Sequence, residues 1–298
     1  MLSNDFEVFF PAKLDKEIIF TSDKNEIKNL NWGLSHIPPK QFFLPYYEEL
    51  LHYKNQDIIT PSIKTNPKIL FGVHPYDVRA ITLLDKIFSN KYPDFYYQRR
   101  RKNFYIIGMG DYEFKNLFEP DIFLNSNGDT YEVHLKNQNA AFLLKYKGIF
   151  VKSVFEEEKK FYEEEPLFAD IEKLSKAVEN SHSSKIWDEL AKIDLGCGIC
   201  SYTCPLCYCF DVENKINIDD NCQAKKCRSI SSCYNNNFFE VSGHNFKPEL
   251  RNRIYNWYYH KFVRMPREIG HVGCIDCGRC IKYCPAKINF KNVLKSLL

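Results

Sequence analysis

No cysteine occurs in the first 196 residues of this 298-residue chain, and all twelve lie at or after Cys197. The first two-thirds must therefore fold without disulfides or thiolate-held metals. Glycine (12) and proline (14) are modest, and no low-complexity tract or repeat occurs outside the cysteine motifs. That composition excludes collagen-like and linker-type chains. No run approaches the roughly 18 apolar residues of a membrane span. The opening "MLSNDFEVFF" puts Asp5 and Glu7 where a signal peptide carries basic residues and then an apolar run; no membrane span and a cytoplasmic location are expected. A net charge of +3 is too mild to argue for nucleic acid. The densest basic tract, "QRRRK" (98–102), reads as a solvated helix end or loop, with a docking patch as the alternative.

What is abundant is aromatic, 24 Phe and 19 Tyr. The first half alternates strand and helix patterns. "KILFGVH" (68–74) is an apolar strand, and "YDVRAITLLDKIF" (76–88) sets Val78, Ile81, Leu84 and Phe88 at helical spacing. "NFYIIGMG" (103–110) is a second strand, "TYEVHLK" (130–136) alternates like a third, and "GIFVKSVF" (148–155) resembles a fourth. Strand, helix, strand implies a parallel βαβ element. Gly108 and Gly110 lack the third glycine of a dinucleotide fingerprint, since Glu113 stands there. They read as turn glycines. An acidic run at 156–165 marks a hinge, and two short helices then lead into the cysteines.

The expected class is α+β. A mixed α/β domain over 1–165, structural or partner-binding, precedes an iron–sulfur domain over 166–298, a ferredoxin-like dicluster fold with a helical lead-in and a long cysteine-rich insertion at 206–273.

Without an export signal, twelve cysteines in a reducing compartment point to metal or cluster ligation rather than disulfides. Cys274, Cys277, Cys280, Cys284 and Pro285 satisfy C-x2-C-x2-C-x3-C-P. In two-cluster ferredoxins the fourth cysteine of such a run ligates the other cluster. Zinc explains the C-x2-C steps but not the third step or the Cys-Pro. Upstream, Cys197, Cys200, Cys204 and Pro205 keep the same offsets, with Asp194 in first place. One 4Fe–4S cluster is then expected on Cys274, Cys277, Cys280 and Cys204. The other takes Cys197, Cys200 and Cys284. Its last corner falls to Asp194, is empty as in a 3Fe–4S cluster, or takes a ligand from elsewhere.

Cys207, Cys209, Cys222, Cys227 and Cys233 remain, in a polar segment that lacks the apolar mass to order itself. A third 4Fe–4S cluster on Cys207, Cys209 and Cys233, with Cys222 or Cys227 as fourth ligand, is the preferred account; a zinc site and free or partner-facing thiols are the alternatives. The basic, aromatic stretch at 234–273 suits hydrogen bonding to the clusters and neutralising their negative charge, or docking an acidic partner. His244 and His260 read as surface or packing histidines.

The order "CG-x-C-x3-CP-x-CYCFD", "SC", "G-H-x-F", "YYHKF" and "GC-x2-CGRCIKYCP" resembles an iron–sulfur subunit family. That family contains the ferredoxin-type chain of anaerobic sulfite reductase and the beta chain of cytosolic NiFe sulfhydrogenases. "FGVHPYDVRAITLLDKIF" and "RRRKNFYIIGMGD" are similar to its N-terminal segments, so the likeness runs from about residue 65 onward. It implies an electron-transfer subunit of a hetero-oligomer, linking a flavin- and NAD(P)H-binding subunit to a catalytic subunit, either sirohaem sulfite reductase or NiFe hydrogenase. It also implies that the seven dicluster cysteines are ligands and that Cys207, Cys209 and Cys233 match further family cysteines. Cys222 and Cys227 have no counterpart. Family cysteines are replaced by Asp194, Tyr76 and Asp111, so no N-terminal cluster is expected. The alternative is an enzyme subunit with substrate chemistry at an open or Asp-ligated cluster.

Overall fold

Met1–Phe43 with Ile63–Glu163 form one unit of the computed structural model, and Leu44–Ser62 with Glu164–Leu298 form the other. Residues 6–55, 57–63, 66–127, 130–145, 160–163, 165–217 and 223–298 are described. The strand expected at 148–155, most of the acidic run at 156–165 and Cys222 lie outside them.

In chain order, β1 (Glu7–Leu14) and β2 (Glu17–Thr21) form a hairpin. Next, β3 (Tyr47–Lys54) and β4 (Asp57–Ile59) form a second hairpin that belongs to the other unit. The first unit resumes with β5 (Lys68–Val73), α1 (Pro75–Phe88), α2 (Phe95–Arg101), β6 (Phe104–Gly110), β7 (Ile122–Asn127) and β8 (Thr130–Leu135). Its sheet runs β2-β1-β5-β6-β7-β8, with β1, β5, β6 and β7 parallel and both edge strands antiparallel. Central parallel strands are covered on both faces and so read as continuous apolar runs. Ile69, Leu70 and Val73 of β5 are fully buried accordingly.

Pro75 occupies the first turn of α1, where no N–H is needed, and the His74 side chain accepts from the Tyr76 N–H. Val78, Ile81 and Leu84 then face the core, as their spacing predicts. The basic tract ends α2, where cations complement the helix dipole. There Arg101 donates to Asp85 and to the Phe104 carbonyl, each at 3.0 Å. Gly108 and Gly110 serve packing: a Cβ at Gly108 would meet Phe123 and Val78 at 2.9 Å, and one at Gly110 would meet Pro75 at 2.6 Å.

The second unit pairs the β3–β4 hairpin with β9 (Phe210–Ile216) and β10 (Gln223–Ile230) in the antiparallel order β4-β3-β10-β9. A first domain running unbroken to 165 does not anticipate this exchange. The insertion's own strands β9 and β10 pair with each other, and β3 of residues 47–59 extends their sheet. Arg228 and Glu48 form a buried ion pair across β10 and β3, with Arg228 Nε donating at 2.7 Å.

Helices α3 (Ile171–Asn180) and α4 (Ile186–Ile193) are the lead-in. After them come α5 (Ile199–Tyr202), α6 (Leu250–Tyr259), a π-helical turn (His260–Arg264), α7 (Met265–Ile269), α8 (Arg279–Lys282) and α9 (Phe290–Lys295). Trp187, Leu174, Val178, Ile254, Phe262 and Leu294 form their common core. The buried Trp187 indole donates to the Ser181 carbonyl at 2.6 Å, satisfying its one polar atom. The fold is α+β, with the N-terminal mixed α/β unit and the C-terminal cysteine-rich unit that the sequence implies.

Candidate metal centre

The two cysteine motifs fold on one backbone plan. Gly198 (φ 71°) and Gly278 (φ 74°) start the four-residue helices α5 and α8, which pack together. Two residues earlier stand Gly196 (φ 62°) and Asp276 (φ 60°), also left-handed. Glycine is required at 198, because a Cβ there would lie 2.6 Å from Ser232 Oγ in a backbone region that side chains disfavour.

This plan fixes the place of Asp194. The Asp276 N–H donates to Cys274 Sγ at 3.4 Å, and at the equivalent turn the Gly196 N–H donates to Asp194 Oδ1 at 2.7 Å. The carboxylate thus holds the same relation to its loop as the sulfur does. Burial raises the Asp194 pKa against that hydrogen bond. Cys200 feels its charge, and so do the buried Tyr234 and Tyr258.

Cys204 faces both motifs: it acts on Cys200 of its own. In the other it acts on Cys274 and on Cys280, which also feels Cys277. Its sulfur accepts from the Leu206 N–H at 3.4 Å and from Lys261 Nζ at 3.2 Å. Cys284 accepts from the Ile288 N–H at 3.3 Å and, with Cys200, Cys280 and Asp194, acts on the Tyr258 hydroxyl. Burial pushes Cys200 and Cys274 up to about 12.

The further cysteines divide. A hydrogen bond with Cys204, then burial, raises Cys207, and Cys209 acts on it. A hydrogen bond with Cys209, then burial, raises Cys233, which also feels Cys200. These three thiols are contiguous with the motif cysteines. Cys227 is fully buried in β10, and the Tyr47 hydroxyl from β3 donates to it at 2.9 Å.

Sequence reasoning did not single out Lys261. It lies in the π turn and is buried, and its Nζ also donates to the Gly273 carbonyl at 2.8 Å. Burial opposes its charge, but the charges of Cys204, Cys207 and Cys274 outweigh this and hold it strongly protonated. The signal was present only as one cation in the aromatic run "YYHKF". Of the two histidines, His260 is driven down to about 4, by burial first and then by Lys261 and Arg264, with Nε2 3.4 Å from the Tyr208 hydroxyl. His244 is exposed.

The residues fit iron–sulfur clusters. The donors are soft thiols plus one carboxylate, set in buried walls with backbone N–H groups and an ammonium directed at sulfur. Among the described residues no three His, Cys, Asp or Glu are close enough to share one bare ion. A cluster binds each sulfur through a different iron, so its ligands stand further apart than those of one ion.

In the first unit, Tyr76 and Tyr112, the latter next to Asp111, join Phe114 and Tyr162 in a packed aromatic group with ring centroids 4.9 to 6.3 Å apart. Tyr76 thus lies within a ring cluster at one position where the resembled family has cysteine, while Asp111 at the other is exposed.

No described helix is long and apolar enough to cross a membrane. The 4Fe–4S dicluster domain family matches residues 194–288, a span that begins at Asp194. The chain is 31% identical over 287 residues to sulfhydrogenase 2 subunit beta of Pyrococcus furiosus, covering 89% of this chain and 84% of that relative. No solved structure matches. With two motifs on one backbone plan and this likeness along most of its length, the chain belongs to the iron–sulfur family that unites the ferredoxin-type chain of anaerobic sulfite reductase with the sulfhydrogenase beta chains.

Proposed function

We propose that this chain is the electron relay of a cytoplasmic, hetero-oligomeric redox complex. It takes electrons from a flavin- and NAD(P)H-binding subunit, delivering them to a catalytic subunit such as a sulfite reductase or a NiFe hydrogenase. The observation that carries this reading is the pair of matched motifs, packed together through α5 and α8 and joined by Lys261, which bonds Cys204 of one and the carbonyl before Cys274 of the other. Bound clusters supply one-electron redox chemistry. The chain supplies ligands, hydrogen bonds to sulfur and burial, the levers that set cluster potentials.

In this assignment Cys274, Cys277, Cys280 and Cys204 hold one cluster. Cys197, Cys200 and Cys284 hold another, with Asp194 as its fourth ligand. The matched turns at 194–196 and 274–276 support that role. Cys207, Cys209 and Cys233 hold a third cluster; their adjacency to Cys204 and Cys200 supports this. The fourth ligand of the third site is Cys222 or Cys227.

Anaerobic purification followed by iron and sulfide analysis tests the assignment, and a redox titration tests the function. Three clusters' worth of iron per chain is expected, with the clusters changing state at physiological potentials. Iron for two clusters only removes the third site. Clusters that never change oxidation state remove the relay.

A further inference from the structure

The π-helical turn His260–Arg264 buries Lys261, Phe262 and Val263 in succession. A regular helix with one buried face would return at least one of three consecutive side chains toward solvent. The wider turn does not, and such bulges recur at functional sites. What it turns inward here is an ammonium. Placing a lysine charge in a protein interior costs several kcal/mol unless anions and hydrogen bonds offset the loss of water. The side-chain acceptor described for Lys261 is a sulfur, that of Cys204, a ligand in the assignment above. The ammonium also stands 5.1 Å from the centroid of the Trp257 ring, whose face attracts cations.

The same residue joins the two motifs. Lys261 Nζ donates to Cys204 Sγ of the first motif at 3.2 Å and to the Gly273 carbonyl, just before Cys274 of the second, at 2.8 Å. In return the Gly273 N–H donates to the Lys261 carbonyl at 2.6 Å. Only glycine permits this approach, since a Cβ at 273 would sit 2.5 Å from Met265 Sδ and 3.0 Å from Lys261 Cα. The ammonium is thus tied by its own backbone and by a carbonyl, and its remaining hydrogen bond goes to a sulfur.

We propose that Lys261 is a potential-setting residue, a fixed buried cation that stabilises the reduced form of the cluster held by Cys204, Cys274, Cys277 and Cys280 and makes it the better electron acceptor of the pair. The inference rests on the ligand assignment above. Reduction adds one negative charge to a cluster. A cation fixed beside its sulfurs in a medium of low dielectric favours that added charge far more than a solvated lysine would. Lys261 also bears on Cys200, but its described hydrogen bonds go to Cys204 Sγ and to the carbonyl just before Cys274, so the effect is largest on that cluster and biases electron flow between the two.

The test uses the full chain, purified anaerobically as the parent, Lys261→Met, Lys261→Gln and Lys261→Arg, with redox titrations followed by electron paramagnetic resonance. In Lys261→Met one cluster's reduced-to-oxidised ratio at fixed potential should fall at least tenfold, a shift of about 59 mV for one electron. The other clusters should move by less than threefold, and Lys261→Arg should keep the parent value. Glutamine retains a donor without the charge. If methionine costs the chain that cluster, the same fall in Lys261→Gln supports the proposal. An unchanged midpoint in whichever neutral variant retains full iron overturns it. Loss of one cluster's iron from both neutral variants also overturns it, because Lys261 would then hold the cage rather than set its potential. A parent chain lacking the dicluster iron would instead sink the ligand assignment itself.

Discussion

At the scale of single residues, the position that decides most is 194, where a hard oxygen stands in a frame built for a soft sulfur. A carboxylate retains iron of an iron–sulfur cluster less firmly than a thiolate does. The proposed cluster of Cys197, Cys200 and Cys284 is therefore expected to lose iron first on exposure to oxygen. Asp194→Cys should slow that loss, and Asp194→Ala should give a three-iron cluster by electron paramagnetic resonance. Alanine also removes the acceptor for the Gly196 N–H, worth about 1 kcal/mol, too little to unfold the chain. A spectrum and iron-loss rate identical to the parent in Asp194→Ala would mean that the residue only shapes its turn. The match of the Asp194 turn to that of Cys274 was legible in the sequence because the spacing of Cys197, Cys200 and Cys204 pointed back to it. Lys261 was not. It lies 57 residues from the sulfur it contacts, and a cation in an aromatic run reads like any other surface charge until the fold buries it.

At the scale of elements, legibility followed the range of the interactions. The β5–α1 pair and β6 were readable at 68–88 and 103–110, since their periodicities are local and their interiors strongly apolar. The β3–β10 pairing was not. It joins residues 180 apart, as between Tyr47 and Cys227, and "YEELLHYK" mixes polar and apolar residues without the alternation that marks a strand. The Glu48–Arg228 pair fixes this pairing from within the sheet. Removing one member of a buried pair strands the other charge, at a cost of about 3–5 kcal/mol, whereas replacing both with apolar residues is often neutral or better. Glu48→Ala should accordingly lower the unfolding midpoint sharply, and the double change Glu48→Leu with Arg228→Met should recover most of the loss. Equal losses in the single and double variants would show that packing, not charge pairing, secures the hairpin to β10.

At the scale of the whole molecule, the proposed relay divides labour between chains. A nicotinamide delivers two electrons together as hydride, whereas clusters take them singly, so a flavin must stand between the two. The one glycine pair that hinted at a dinucleotide, Gly108 and Gly110, is packed against Phe123, Val78 and Pro75. That arrangement accounts for the glycines without a nucleotide. The isolated chain should therefore be reducible by a one-electron donor such as dithionite but not by NADH or NADPH. Adding the proposed flavin-containing partner subunit should make the same cluster signals appear with the nicotinamide donor. If Lys261 directs the flow, the Lys261→Met chain in that reconstituted complex should show the smaller share of reduced signal on the cluster of Cys204, Cys274, Cys277 and Cys280 at equal donor concentration. Reduction of the isolated chain by NADH or NADPH alone, in protein shown to be free of flavin, would contradict the relay and restore the reading of this chain as an enzyme subunit in its own right.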